Sequence, residues 1–426
     1  MISDCLSFLD DLFSDGQLPD FAIRLWEGTT WCSHPGRKAL FTIVVNHPDA
    51  LRRILWSPNQ LTIGEAYIYG DFDIEGDILQ VFTLAGLLRD MKWSFADKLR
   101  FGRHLFGLPR TAPFLRGREE AHLRGKRHSR ERDSKAIVYH YDVSNDFYRL
   151  WLDERMIYSC GYFSSPDDTL DVAQERKLDY ICRKLRLKPG ERLLDIGCGW
   201  GGLVIYAVLN YGVDAVGITL SSNQASLAAE RVRNAGISDR CKVEVCDYRD
   251  MQDTAGFDKL ASVGMIEHVG EAKLPEYFTS AWHLLKPGGI FLNLGISRNI
   301  FCPFPKGPSF ISKYVFPDGE LLPLSYTLQV AEKCGFEVRD VENLREHYAL
   351  TVRQWARRLE NNQEAALRFV SDVVYRIWRI YLAGSAYSFD SGRNNLHHIL
   401  FLKSDHGKSH LPLTRDDWYA EAPKGM

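Results

Sequence analysis

The chain has 426 residues, 45% of them hydrophobic, which exceeds the usual size of one domain and predicts two. Its 53 Lys and Arg residues nearly balance 55 Asp and Glu residues, and this charge argues against a dedicated nucleic-acid binder. The nine cysteines lack the paired spacing of a zinc site, which indicates a reducing, cytoplasmic environment and no metal centre.

The sequence also lacks the features of an exported or membrane-spanning protein. The N-terminal stretch MISDCLSFLDDLFSDG carries acids where a signal peptide carries positive charge. No run approaches the roughly 20 consecutive apolar residues of a transmembrane helix. If the protein meets a membrane, we expect it to bind there peripherally.

The first segment, residues 1–115, is predicted to form a small α+β accessory domain. Phe41–Val45 resembles a short strand, and the stretch from Leu79 to Leu88 has apolar residues at helical spacing. The sequence LTIGEAYIYGDFDIEGD, residues 61–77, mixes glycines and acids with aromatic residues, as in turns between short elements. We find no catalytic constellation in this segment.

Residues 116–135 are strongly basic, with eight Lys or Arg residues against four acids and few apolar residues. This composition is typical of a solvated linker. It would also suit contact with anionic lipid headgroups. The sequence leaves both interpretations open.

From Val138 onward, strand and helix patterns alternate. Thr169 is the predicted N-cap of a helix that ends by Lys188. The strands that follow, with helices between most of them, are predicted at Arg192–Gly197, Asp214–Leu220, Lys242–Asp247, Lys259–Met265, Gly289–Leu294 and His397–Lys403. This succession predicts a doubly wound α/β domain over residues 136–403 with a parallel sheet, followed by a tail over 404–426.

The most informative stretch is LLDIGCGWGG, residues 193–202, which reads as a buried strand breaking into a glycine-rich turn before a helix. Backbone amides at a helix start are unpaired and can hold a ligand, and glycine lets the main chain approach it closely. Asp195, at the end of the strand, can accept hydrogen bonds from a cationic or hydroxylated group. The turn therefore predicts a cofactor site.

Two other nucleotide sites are disfavoured at this turn. A P-loop would need a Lys-Ser or Lys-Thr pair after the glycines, and none follows. A dinucleotide site would need an acidic residue about twenty residues on, where this chain has GITLSSNQ, residues 217–224. A different cofactor is expected.

Further motifs fall beside this turn: YHYDVSNDFY at 139–148, YSC at 158–160, CDY at 246–248 and GMIEHVG at 264–270. Together with the glycine loop, their order and spacing resemble the cyclopropane-fatty-acyl-phospholipid synthase family of S-adenosylmethionine-dependent methyltransferases. The resemblance covers residues 136–403. It implies a Rossmann-like class I methyltransferase domain, and it makes the first segment the family's lipid-binding domain.

The resemblance also implies where the cofactor, S-adenosylmethionine, binds. The residues that it places against the cofactor are Tyr158, Ser159, Asp195, Gly197, Cys198, Gly199, Gly201, Thr219, Leu220, Gln224 and Tyr248. Neutral Thr and Gln side chains suit ribose hydroxyls and the amino-acid group, and a tyrosine offers a flat face to adenine. The alternative is that Thr219 and Gln224 only cap the next helix.

The catalytic residues implied by the resemblance are Glu267, Cys160, Tyr348, the main chain at Ile296, and Ser385. Aromatic faces and a carboxylate suit a reaction in which a carbocation develops on an acyl chain. In the family, a bicarbonate held by most of these residues removes the proton that closes the cyclopropane ring.

Two positions depart from the family pattern. Leu294 stands where the family has a histidine, and Ser385 stands where a cysteine is common. A leucine side chain donates no hydrogen bond and carries no charge. Bicarbonate-assisted ring closure is therefore in doubt, and a methyl- or methylene-branched chain becomes an alternative product. Asn293 and His268 are the alternative proton acceptors nearby. Asn293 is expected to point away from the Leu294 side, because a strand alternates its faces, and His268 is expected to be structural.

The resemblance predicts an enzyme that methylates unsaturated phospholipid acyl chains at the membrane surface. A homodimer and a reductase that completes a branched product are further partner hypotheses. One rival interpretation is a methyltransferase of the same fold with a small soluble acceptor. Another is a lipid-binding protein that has lost catalysis, against which the intact glycine loop argues.

Overall fold

The computed structural model describes residues 2–13, 18–56, 59–90, 123, 125–141, 143–302 and 309–419. The chain divides into two compact units. One comprises residues 1–120, 305–315 and 370–387, and the other comprises residues 121–304, 316–369 and 388–426. The predicted second domain, 136–403, is therefore not continuous, because two of its segments belong to the first unit.

The first unit contains a four-stranded sheet in the order β2-β1-β3-β4. Its N-terminal elements are α1 (Ile2–Phe13), β1 (Phe21–Arg24), β2 (Thr30–Cys32), β3 (Phe41–Val45), α2 (Asp49–Trp56), α3 (Gln60–Ile68), β4 (Phe72–Gly76) and α4 (Ile78–Asp90). The predicted strand and the predicted helix are confirmed as β3 and α4. The core of this unit includes Phe8, Phe21, Phe41 and Leu84.

The prediction of turns between short elements over residues 61–77 is confirmed in part. The stretch forms α3 and β4, and only the link between them, which contains Gly70, is a turn. Asn59 caps α3, because its side chain accepts a hydrogen bond from the Thr62 amide at 3.0 Å. Burial of the second half of α3 outweighs the local turn signals.

The remaining elements follow in chain order. They are α5 (Arg130–Tyr141), α6 (Asn145–Arg149), α7 (Leu170–Lys184), β5 (Arg192–Ile196), α8 (Gly202–Tyr211), β6 (Asp214–Thr219), α9 (Ser222–Asn234), β7 (Cys241–Val245), β8 (Phe257–Val263), α10 (Leu274–Leu284), β9 (Leu285–Arg298), α11 (Phe310–Tyr314), α12 (Leu324–Lys333), β10 (Glu337–Asn343), α13 (Arg345–Asn361), α14 (Gln363–Ala366), α15 (Asp372–Asp390), β11 (Asn394–Leu402) and α16 (Asp416–Tyr419). Two short 3-10 turns, Ile266–His268 and Glu271–Lys273, lie between β8 and α10. Helix α11 and most of α15 belong to the first unit.

The second unit is built on a seven-stranded sheet in the order β10-β11-β9-β8-β5-β6-β7. The five strands from β9 to β7 are parallel, which confirms the doubly wound α/β prediction. β11 runs antiparallel to both β9 and β10, so the sheet is mixed rather than fully parallel. β10 was missed because its sequence, EVRDVEN, is polar and lies at the sheet edge.

The helix predicted after Thr169 is confirmed as α7, and the Thr169 hydroxyl accepts a hydrogen bond from the Val172 amide. The helix ends before the predicted Lys188, because the chain turns at Arg186 in a left-handed conformation. Of the predicted basic linker, residues 116–122 and 124 lie outside the described residues. Residues 130–135 are helical, in α5, which corrects the linker prediction there.

The sheet of the second unit is held by an apolar core. Phe278, Phe291, Phe336 and Phe401 pack edge to face or tilted against one another, with ring centroids 5.4–6.4 Å apart. This cluster packs β9, β11, α10 and the start of β10 against one another. Within the described ranges, no helix combines the length and the apolar character needed to cross a bilayer.

Candidate active site

A cavity lies at the carboxyl ends of β5, β6 and β8, which is the edge where doubly wound folds bind ligands. Most of the predicted cofactor residues line it: Tyr158, Ser159, Asp195, Gly197, Cys198, Gly199, Thr219, Leu220, Gln224 and Tyr248. Gly201 is outside this lining and begins α8 in a left-handed conformation. A side chain there would meet Ala228 at 3.1 Å, so this glycine serves packing.

The glycine loop is tethered to the neighbouring strand. The amides of Gly197 and Cys198 both donate to the Ile218 carbonyl at 2.9 Å, and the Gly201 amide donates to Cys198 at 3.0 Å. These three amides are therefore occupied, which corrects the expectation that the amides of this loop are free for a ligand. Gly199 has a positive φ and no atom within 4 Å of the place where a Cβ would lie.

Thr219, at the end of β6, and Gln224, at the start of α9, lie side by side in the cavity wall. The Thr219 hydroxyl donates to Gln224 Oε1 at 2.8 Å, and both side chains are buried. The N-cap of α9 is Ser221, whose hydroxyl accepts from the Gln224 amide at 3.1 Å. Ser221 therefore supplies the N-cap, while the Thr219 hydroxyl accepts a hydrogen bond from the Ser221 amide at 3.2 Å. The cofactor role of Thr219 and Gln224 stays a prediction.

Tyr248 forms a rigid aromatic wall of the cavity. Its ring packs edge to face against Tyr277 at 5.5 Å, and the Arg249 guanidinium lies 5.4 Å from its centroid. Arg249 is held by Asp247 and Asp133 at 2.5 and 3.0 Å. Burial raises the pKa of the Tyr248 hydroxyl, so the ring is neutral and suited to stacking on a planar base.

Helix α5 closes one side of the cavity with Asp133, Ala136, Ile137 and Tyr141. Two ion pairs hold the helix in place. Arg132 binds both carboxylate oxygens of Asp318 at 2.5 and 2.8 Å, and Arg249 binds Asp133. Helix α5 therefore partly encloses a ligand in the cavity. We call α5 and its two ion pairs, Arg132 with Asp318 and Asp133 with Arg249, the latch.

Lys177 and Asp195 line the cavity, and neither forms an ion pair with the described residues. Lys177 is 2% exposed, and its Nζ donates to the Ser159 hydroxyl at 2.9 Å. Asp195 is also 2% exposed, and its Oδ1 accepts no hydrogen bond from the described residues. Burial lowers the pKa of Lys177 to about 8 and raises the pKa of Asp195 to about 7.

Lys177 was missed by the sequence analysis, although a signal was present. Leu170, Ala173, Leu178 and Ile181 form the buried stripe of α7, and Lys177 lies on the same stripe. A lysine at the position of a core residue is unusual unless it has a partner or a ligand. That conflict between pattern and residue type marks it as a candidate.

Glu267 lies in the first 3-10 turn, between Met265 and His268, which both line the cavity. Its Oε1 accepts a hydrogen bond from the Ile296 amide at 2.6 Å. Its Oε2 is buried and has no hydrogen-bond partner among the described residues. Burial raises the pKa of the carboxyl to about 7, so much of it is charged at neutral pH.

Cys160 and Tyr348 meet at another point of the same sheet edge. The Cys160 thiol lies 3.9 Å from the Leu344 carbonyl, which also accepts the Tyr348 amide at 3.0 Å. Leu344 in turn donates to the Leu396 carbonyl at 2.8 Å, and Leu396 is in register with Ile296. Strand β11 thus links the Glu267 contact to the Cys160 and Tyr348 contacts.

Burial raises the pKa of the Cys160 thiol, so this side chain is a protonated thiol rather than a nucleophilic thiolate. The Tyr348 ring packs against Trp355 at 5.9 Å and Phe389 at 4.6 Å. Ser385, the last predicted catalytic residue, lies on α15 in the part that belongs to the first unit.

Leu294 is buried on β9, in register with His398 of β11. His398 is fully buried, and neither ring nitrogen has a hydrogen-bond partner among the described residues. Burial holds its pKa well below the usual value, so the imidazole is neutral. The sequence pattern did not single out this histidine, because the pairing of β9 with β11 is visible only in the fold.

The two alternative proton acceptors named from the sequence are engaged elsewhere. Asn293 accepts a hydrogen bond from the Tyr277 hydroxyl at 3.0 Å, on the side of α10. His268 contacts the Tyr141 hydroxyl at 3.4 Å and packs against Phe316. Burial lowers the pKa of His268 to about 4, which is consistent with a structural role.

Both parts of the chain are similar to known protein families. Residues 128–399 match the family model described as mycolic acid cyclopropane synthetase, and residues 8–94 match one described as a domain of unknown function (DUF7884). A probable fatty acid methyltransferase of Pseudomonas putida is 40% identical over 93% of this chain and 95% of its own length.

Two further relatives are similar. The cyclopropane-fatty-acyl-phospholipid synthase of Escherichia coli K12 is 35% identical over 84% of this chain and 87% of its own length. The crystal structure of the mycolic acid cyclopropane synthase CmaA1, complexed with SAH and CTAB, has a TM-score of 0.60 and 33% identity. It covers 63% of this chain and 97% of that chain.

Arg132→Gln tests the latch on α5, because it removes the bidentate ion pair with Asp318. Helix α5 should then open more often. Dissociation of S-adenosylhomocysteine should accelerate about fivefold or more. Stopped-flow fluorescence measures this rate. Arg130→Gln is the matched control, because Arg130 pairs with Asp250 in open solvent on the same helix. Equal rates for the two variants would contradict the latch.

Proposed function

The chain belongs to the mycolic acid cyclopropane synthetase family, and on that premise we propose that it methylates the double bond of an unsaturated acyl chain in a membrane phospholipid. It is an S-adenosylmethionine-dependent methyltransferase with the Rossmann-like class I fold, and its relatives act on lipids. The observation that carries the proposal is the buried carboxylate of Glu267, which has one oxygen bound by the Ile296 amide and lies between Met265 and His268, two residues that line the cavity.

The cavity fits S-adenosylmethionine on structural grounds. Tyr248 offers an aromatic face, Thr219 and Gln224 offer neutral polar groups, and Asp195 offers an unpartnered carboxylate oxygen. The cofactor supplies an electrophilic methyl group carried on a sulfonium. The latch on α5 helps to exclude water from this group.

An alkene is a weak nucleophile, and its attack on a methyl donor leaves positive charge on the acyl chain. Glu267 is suited to stabilise that charge, because it is buried and the Ile296 amide fixes one of its oxygens. The other oxygen is free, among the described residues, to face the developing cation. A fixed charge in a water-poor site acts more strongly than one in solvent.

Bicarbonate fits this site poorly. The Ile296 amide, which the resemblance assigns to bicarbonate, already donates to Glu267 at 2.6 Å. Leu294 offers no hydrogen bond in place of the family's histidine. We therefore derive no step through bicarbonate in this chain.

Without that base, we propose that the main product is branched rather than cyclic. The cation loses a proton from a neighbouring chain carbon, and the C–H electrons form a new double bond in the methyl-branched chain. Loss of a proton from the transferred methyl carbon gives a methylene branch only after a 1,2-hydride shift has moved the positive charge to the carbon that bears this methyl group. His398, a neutral imidazole opposite Leu294 in the strand register, is our proposed acceptor of this proton. A carbocation is a far stronger acid than an imidazolium, so even a weakly basic imidazole suffices.

We also propose that the protein works in the cytoplasm, at the membrane surface. Four cations of the basic region, Arg127, Arg130, Arg132 and Lys135, pair with acids of the chain itself. Their attraction to anionic headgroups is therefore weaker than the sequence suggested. Ile300 and Phe301, which are 64% and 90% exposed just after β9, give a better-supported point of lipid contact.

Glu267→Gln tests the assigned carboxylate. Turnover should fall by about 100-fold or more, because the neutral amide cannot stabilise the cation, while binding of S-adenosylhomocysteine stays near normal. Methyl transfer to unsaturated phospholipid vesicles and calorimetric binding measure the two quantities. Turnover at the wild-type rate would refute the assignment, and lost binding would show that the variant disturbs the cofactor site instead.

The pH dependence of wild-type turnover gives an independent test. Glu267 acts as a carboxylate, so kcat should be highest above pH 7 and fall as the pH drops through its pKa of about 7. The cofactor must be saturating, because Asp195 titrates in the same range and affects cofactor binding. A kcat that is constant from pH 8 to about pH 5 would contradict this role.

Leu294→His tests the account of the product. A histidine here restores a hydrogen-bonding group beside Ile296, so the cyclopropane fraction of the product should rise. Mass spectrometry of the acyl chains measures the ratio of ring to branch. Leu294→Phe is the control, because it changes the volume of the side chain without adding a donor. An unchanged ratio in Leu294→His would count against the account.

A further inference from the structure

Glu267, the proposed catalytic carboxylate, lies on a segment with little local support. We call residues 264–271 the Glu267 turn; it contains the 3-10 turn Ile266–His268 and leads into a second such turn. Neither N-cap residue, Met265 or Gly270, supplies a side-chain cap. Isolated 3-10 turns are short and have poor hydrogen-bond geometry. The position of Glu267 therefore depends on contacts from other segments.

Glu320 contacts the Glu267 turn at two points. Its amide donates a hydrogen bond to the Glu267 carbonyl at 2.9 Å, and its Oε2 accepts one from the Glu271 amide at 2.7 Å. The carboxylate thus caps the second 3-10 turn, whose own N-cap residue, Gly270, has no side chain to do so. One residue therefore holds both ends of the stretch Glu267–Glu271.

The turn that carries Glu320 is itself fixed. Asp318 has a left-handed φ of 63°, and Arg132 binds both of its carboxylate oxygens at 2.5 and 2.8 Å. The Gly319 amide donates to the Phe316 carbonyl at 3.2 Å. A Cβ on Gly319 would lie 3.9 Å from the carbonyl oxygen of Glu267, so the two segments run close together. Glu320 therefore projects from a turn with a defined conformation.

The second carboxylate oxygen of Glu320 faces the segment before α5. Its Oε1 pairs with Arg127 at 2.9 Å and lies 3.8 Å from His128 Nε2. His128 packs over Gly270, because a Cβ at that glycine would collide with the imidazole ring. Arg127 is half-exposed, so its ion pair is weak on its own. Three segments of the chain thus meet at one carboxylate.

We propose that Glu320 is a positioning residue for methyl transfer, which holds the Glu267 turn where the Ile296 amide binds the Glu267 carboxylate. That bond, 2.6 Å long, joins Oε1 of Glu267 to β9, and it forms only if the turn and the strand keep their relative position. Glu320 is outside the lining of the cavity, so it acts through Glu267 rather than on a ligand. The inference rests on the proposed role of Glu267 in stabilising the cation.

Glu320→Ala tests this inference on the full chain with unsaturated phospholipid vesicles. The kcat should fall about tenfold, because Glu267 loses its orientation, while the KM for S-adenosylmethionine stays within about twofold of the wild-type value. In the Glu267→Gln background, the same change should lower kcat by less than about twofold, since the charge that Glu320 orients is already absent. A merely structural defect would lower kcat equally in both backgrounds.

Two further variants serve as controls. Glu320→Gln keeps an oxygen that can accept from the Glu271 amide, so it should retain kcat within about threefold of the wild-type value. Glu276→Gln removes a carboxylate that pairs with Lys273 at the surface nearby, so its kcat should equal that of the wild type.

Hydrogen exchange measured by mass spectrometry tests the positioning without lipid. Glu320→Ala should accelerate exchange in the Glu267 turn about tenfold and leave exchange in α7 unchanged. Wild-type exchange in that variant, or equal losses of kcat in both backgrounds, would overturn the inference. Wild-type turnover in Glu267→Gln would refute the proposed function instead. A fully active Glu320→Ala beside a crippled Glu267→Gln would refute only this inference.

Discussion

Burial of charged groups without protein partners, at the carboxyl edge of one sheet, is the constraint on which the rest of this site depends. Asp195 lies at the end of β5, and Glu267 follows β8, so the fold brings two carboxylates to the same edge. Each has a buried oxygen that no described residue satisfies, and each has a raised pKa. Such groups are costly in the free protein. The free-energy cost of burying each carboxylate is offset when a cationic ligand binds or a cation develops beside it. Ligand binding and catalysis therefore depend on the same electrostatic interaction.

The antiparallel strand β11 organises the second half of the site. It pairs with β9 at Ile296 and, through the Leu396 carbonyl, receives the amide of Leu344 at the end of β10. Glu267, in a 3-10 turn, is held to β9 by the Ile296 amide, and the Cys160 thiol lies 3.9 Å from the Leu344 carbonyl just after β10. The same register places His398 opposite Leu294.

Much of this arrangement is predictable from the sequence. The glycine loop, the capped helix α7 and the alternation of strands and helices depend on local patterns, and the structure contains all three. Features set by distant pairing were missed, including the antiparallel β11 and the partnership of Leu294 with His398. Lys177 was overlooked because its helix reads as a simple apolar stripe. The contribution of residues 370–387 to the first unit also depends on tertiary packing that local sequence does not encode.

The central claim is that a buried carboxylate stabilises positive charge on a lipid chain while a methyl carbon is added to it. The most direct measurement is mass spectrometry of phospholipid vesicles with monounsaturated chains after incubation with the purified protein and S-adenosylmethionine labelled with ¹³C in the methyl group. The account predicts the label in the acyl chain, at the former double bond. Label in the headgroup alone, or no label in lipid while the protein binds the cofactor, would contradict it.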